Sequence, residues 1–122
     1  MEVEYESLVE YLRDEVGERL RAVGRYDEDG YEILHIRDDV AREFSEADIE
    51  QIHHEMVLKG LGNQHIESLF NDEPLDCAIY QFASSVRLHF VHEDYRGVYV
   101  SIDYDDGINP SRIAQRCRKL VG

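Results

Sequence analysis

The chain contains no tryptophan, two cysteines, two prolines and, among its 13 basic residues, only two lysines, Lys59 and Lys119. Each scarcity excludes something. Cys77 and Cys117 have no CxxC spacing and are too sparse for a secreted disulfide scaffold, so they read as buried thiols in a reducing cytosol. No apolar run approaches the roughly 20 residues that cross a bilayer, and the opening MEVEYESLVEYL lacks the basic and apolar regions of a secretory signal. Catalytic signatures are missing too. His54-Glu55 is followed by Met56, Val57 and Leu58 rather than by the second histidine of a zinc protease motif, and there is no GxSxG, Walker A or dinucleotide fingerprint.

What is present is acid. With 27 Asp and Glu against 13 Lys and Arg, the 122-residue chain carries a formal net charge of -14, which repels nucleic-acid phosphates and anionic membranes. Neither is expected as a partner. Molar salt shortens the Debye length to roughly 3 Å and screens such self-repulsion. An acidic, arginine-rich, lysine-poor surface therefore resembles the proteins of halophilic archaea that accumulate salt, and a cytoplasmic location is expected. Apolar residues at 43% and aromatics at 10% are enough for a folded core, and the length is that of one domain, 1–122.

The chain reads as an α/β (α+β) domain: helix, two strands, broken helix, three-stranded meander, helix. Tyr5, Leu8, Leu12, Val16, Leu20 and Val23 recur at helical spacing, predicting a helix over Tyr5–Val23 with Gly24 as its stop. Asp29-Gly30 supplies a hairpin turn between strands near Ala22–Tyr26 and Tyr31–Arg37. Ser45 and Asp48 form a capping box before a helix to about Lys59. Gly60 and Gly62 predict a break, with a shorter helix over Gln64–Phe70 and a turn at Asn71–Pro74. The meander strands are Cys77–Phe82, Val86–Val91 and Val98–Ile102, the last two joined by the turn His92–Gly97. Asn109 and Pro110 then start a final helix with Ile113, Cys117 and Leu120 on its apolar face.

This order of elements resembles the roadblock/LC7 arrangement within the profilin-like group. The segments GRYDEDGYEILHIRDDV and VRLHFVHED are similar to small acidic haloarchaeal proteins of uncharacterised function. The roadblock resemblance implies a five-stranded antiparallel sheet with helices on both faces, and a dimeric scaffold or regulator of other proteins pairing through the sheet edge and middle helix.

The chemistry-bearing residues read mainly as structural. His53 and His54 point about 100° apart on a helix, and His89 and His92 fall on opposite faces of a strand. A site built across elements from His35, His65 and His89 is the remaining histidine combination. The acidic run Asp103–Asn109 lacks the glycine position and terminal glutamate of a calcium loop and reads as turn and helix cap. No metal, cofactor or catalytic residue is expected, and the chain is not read as an enzyme. The first meander strand is different, because it is apolar on both faces and needs a cover or a partner. Ala78, Tyr80 and Phe82, with Ile52 and Met56, are the candidate interface of a homodimeric regulatory or scaffold module that also contacts another protein. The alternative is a small-molecule sensor with a pocket between meander and broken helix, lined by Tyr80, His89 and Phe90.

Overall fold

A computed structural model describes residues 5–93 and 96–121. Helix α1 spans Tyr5–Val16 and ends in a single 3-10 turn, Gly17–Arg19, which delivers the chain into strand β1, Leu20–Asp27. The periodicity that predicted helix as far as Val23 is thus cut short. Gly17 adopts φ 58, a conformation that suits glycine and ends the helix, so Leu20 and Val23 enter the core from a strand. Strand β2, Gly30–Ile36, follows a two-residue turn at Glu28 and Asp29. Gly30 carries the positive φ, and the Asp27 carboxylate accepts the Asp29 N–H at 2.8 Å.

A short helix α2, Asp38–Glu43, was not expected from the pattern. It leads into α3, Glu46–Leu69, a continuous helix of 24 residues. Its start is the predicted capping box, with the Ser45 side chain accepting the Asp48 N–H and Asp48 reaching back to the Ser45 N–H. The predicted break at Gly60 and Gly62 does not occur. Gly60 is buried, and a Cβ there would stand 3.3 Å from the Tyr26 hydroxyl and 3.6 Å from Val91. Its missing side chain serves close approach to the sheet rather than helix termination. Asn71 and Asp72, at φ 60 and 61, form the turn that ends the helix.

The meander comprises β3 (Ala78–Gln81), β4 (Ser85–Glu93) and β5 (Arg96–Asp103). Within its second turn, Asp94 and Tyr95 lie outside the described residues, as do the first four residues of the chain. The final helix, α4, spans Pro110–Val121 and is capped by Asn109, whose side-chain oxygen accepts the Arg112 N–H at 3.1 Å.

The strands form one five-stranded antiparallel sheet in the order β2-β1-β5-β4-β3. Its central ladder pairs Val86 with Ile102, Leu88 with Val100 and Phe90 with Val98, all six fully buried. Leu8 and Leu12 of α1 and Ile113 and Cys117 of α4 complete the core on this face. The opposite face lies beneath α3 and α2. The expected sheet with helices on both faces is what the chain forms.

Candidate functional site

The α3 face of the sheet is built from an unusual set of residues for a strand centre. Gly24 lies opposite Tyr99 and Tyr26 opposite Gly97 in the β1–β5 register. A Cβ at Gly24 would stand 2.3 Å from Tyr99 Cζ, and one at Gly97 would stand 2.3 Å from the Tyr26 hydroxyl. Each tyrosine ring therefore lies across the glycine of the neighbouring strand, in the space a side chain would fill. The repeat is visible in sequence as Gly24-Arg-Tyr26 and Gly97-Val-Tyr99. Its meaning depends on the register, which spacing alone did not supply.

Tyr26 joins three elements. Its hydroxyl lies 2.6 Å from His89 Nε2 on β4 and 3.4 Å from the Met56 carbonyl on α3, next to the close approach at Gly60. The ring meets His53 edge-on at a centroid distance of 5.6 Å. His89 is buried, and burial pushes its pKa down to about 4, so the ring is neutral near pH 7. Whichever nitrogen carries the proton, Nδ1 has no hydrogen-bond partner among the described residues. A buried unsatisfied nitrogen is costly and calls for an explanation.

Between this pin and the N-terminal half of α3, helix and sheet are separated by a cavity of about 210 Å³. Ile49, Ile52 and Met56 of α3 form its roof, and Val40 and Phe44 close the end beside α2. Ala22, His89 and Tyr99 form part of the floor, while Tyr80 and Phe82 wall the β3 side. Arg21, Arg87 and Ser101 meet at one end, and Lys59 of α3 also lines the cavity. Ser101 is the register partner of both Ala22 and Arg87, and its hydroxyl accepts from Arg21 at 3.2 Å.

The two sets of residues singled out from the sequence therefore converge. Tyr80, Phe82, Ile52 and Met56, expected at an interface, all line the cavity, and His89 and Tyr80, expected in a pocket, line it with them. Ala78 is half-buried and pairs with His89 at the sheet margin. Phe90 does not belong to this site. It follows His89 on the strand, so alternation turns it into the opposite core, where it is fully buried. Strand β3 and its end keep apolar side chains exposed, Ile79 at 41% and Phe82 at 52%, while Tyr80 is half-buried at the cavity.

The other chemistry-bearing residues are dispersed. His35 pairs with Val23 and so shares its face, toward α1, and His65 is exposed on α3; neither joins His89. Among the described residues, no three His, Cys, Asp or Glu side chains come together as a metal site. Cys77 and Cys117 are free, and burial raises their thiol pKa to about 11 and about 12, opposite to the shift that activates a nucleophile. Asp105 and Asn109 of the acidic run serve the turn and the helix cap. Sequence reasoning missed Tyr26, Tyr99, Arg21 and Arg87. The first two left a signal in the repeated Gly-x-Tyr, but an arginine inside an otherwise alternating strand does not announce that it lies beside a cavity.

Among the described residues, no helix is long and apolar enough to cross a membrane. No curated protein and no solved structure matches the chain. A family model does match, over residues 6–122, and on that match the chain belongs to the family described as a domain of unknown function, DUF7522.

Proposed function

We propose that this chain is a non-catalytic sensor domain that takes a small apolar molecule between α3 and the sheet. The cavity is the observation that carries the reading. Protein interiors are close-packed, and a gap deprives its lining atoms of dispersion contacts. Here about 210 Å³ lies against aliphatic and aromatic side chains, and an apolar cavity of about 150 Å³ is enough to admit benzene. A ligand would supply the missing contacts. It would also draw the N-terminal half of α3 toward the sheet, a movement a partner protein could read. The acidic, lysine-poor surface suits this domain to the cytoplasm of a salt-accumulating cell.

Indole is a suitable first probe. It should raise the unfolding temperature in a concentration-dependent way, and Ile52→Trp, which places a large ring in the roof, should remove the response while leaving a cooperative melt. A shift that persists unchanged in Ile52→Trp would place binding elsewhere and sink the proposal.

A second reading, self-association as a scaffold, has its own support. Leu58, Ile66, Leu69 and Phe70 on and just beyond the C-terminal half of α3 are exposed, the last two at 65%, an apolar grouping of the kind that seeks a partner. Light scattering at high protein concentration in molar KCl should then give twice the monomer mass, and a strict monomer eliminates this reading.

A further inference from the structure

Resting on the reading of the cavity as a ligand site, we infer that its ligand is a monoanion with an apolar body, an aromatic or branched aliphatic carboxylate, whose charged group is received by Arg87. Several arginines of this acidic protein are held by carboxylates. Arg19 meets Asp105, Arg25 meets Asp27 and Glu32, and Arg37 meets Asp39 and Asp103. Arg21, at the polar end of the cavity, meets Asp103 at 3.3 Å and Glu43 at 3.6 Å.

Arg87 is the exception on the cavity wall. It is half-buried, donates to Ser85 Oγ at 3.2 Å and has its guanidinium 4.7 Å from the centre of the Phe82 ring. Among the described residues, no carboxylate pairs with it. Burial lowers its pKa, the Arg21 charge adds to that, and only the field of Glu43 opposes it. Glu43 is already engaged with Arg21. A guanidinium has five N–H donors, so most of the Arg87 fork is available to a bidentate acceptor.

The rest of the wall sets the remainder of the ligand. Ile49, Ile52, Met56, Phe44 and Tyr99 offer apolar contact, and the volume admits a body somewhat larger than one aromatic ring. One uncommitted guanidinium matches one negative charge. Lys59 of α3 also lines the cavity, but multiply charged anions such as nucleotides meet a net charge of -14. The carboxylate would sit between Arg87 and Ser101, and the apolar body would run beneath α3 toward Met56 and His89.

The test compares 4-phenylbutanoate with 4-phenylbutan-1-ol, matched in shape and differing in charge, by calorimetric titration of the intact chain. The carboxylate should bind about ten- to a hundredfold tighter than the alcohol, the range expected for a charge-assisted hydrogen-bonded pair. Arg87→Gln should bring the carboxylate down to the level of the alcohol and leave the alcohol unchanged, while Arg87→Lys should keep part of the preference. Equal binding of the two probes, or equal loss of both in Arg87→Gln, overturns the anion assignment while leaving the cavity reading intact. Failure of both probes, together with failure of indole, overturns the cavity reading itself.

Discussion

At the scale of single residues, His89 has the clearest measurable consequence. Its pKa in the folded chain lies at about 4, depressed by burial alone, against about 6.5 in an unfolded chain. Between those values the unfolded state binds the proton and the folded state refuses it. The stability contributed by neutral His89 is therefore complete above about pH 6.5 and is lost as pH falls toward 4, to a total of roughly 3 kcal/mol. His53 and His35 are lowered in the same direction, first by burial, and steepen the same window. Asp103 acts below it. Burial works against that carboxylate, but hydrogen bonds from Arg37 and Arg21 hold its pKa under the usual range. Denaturant titrations at pH 7 and pH 5 should show the loss, and His89→Gln, which can still meet the Tyr26 hydroxyl, should remove the larger part of it. An undiminished pH slope in His89→Gln would falsify the assignment. Alternation along β4 was enough to place His89 away from the Val86, Leu88 and Phe90 core. It could not reveal Tyr26, 63 positions earlier, as the partner of its ring, because that contact depends on how three strands are ordered.

At the scale of elements, legibility followed the locality of the cause. The capping box at Ser45, the Asn109–Pro110 start of α4 and the alternation of β4 and β5 are decided by neighbours in sequence, and each formed where expected. The predicted α1 overran the helix that forms, because Leu20 and Val23 satisfy a helical spacing and a core-facing strand equally well. In α3 the glycines misled, since a propensity cost of about 1 kcal/mol per glycine is readily outweighed by packing. The two positions now separate cleanly. A Cβ at Gly62 meets nothing within 4 Å, so Gly62→Ala should stabilise the fold by about 0.5–1 kcal/mol. At Gly97 the same change would press on Tyr26 and stand 2.7 Å from the Phe90 carbonyl oxygen. Gly97→Ala should destabilise by about 1–3 kcal/mol and loosen the pin at Tyr26. Paired thermal melts decide the matter: opposite signs are expected, and a loss of stability in Gly62→Ala would mean that α3 needs its flexibility there.

At the scale of the whole molecule, the remaining question is what solvent the surface suits. The ion pairs described here are mostly at least partly exposed, and such pairs contribute little individually. Fourteen uncompensated negative charges on a chain of this size act together instead, as a repulsive field over the folded surface. Screening acts first and saturates early. By about 0.5 M salt the Debye length has fallen below roughly 5 Å, shorter than most spacings between surface carboxylates. Strengthening of apolar burial by salt, in contrast, continues to grow at higher concentration. Relief of only about 2 kcal/mol of self-repulsion would raise the unfolding temperature by about 6–10 °C in a domain of this length. We therefore expect the melting temperature to climb steeply between 0.05 and about 0.5 M KCl and more gently beyond it. A flat response would show that the acidic surface costs the fold nothing in dilute buffer, and the inference of a high-salt habitat would lose its physical basis. A uniform slope without the early rise would attribute the stabilisation to apolar burial. The same titration bears on the cavity, because Arg87 is half-buried and its attraction for a carboxylate should survive the screening that quiets the surface.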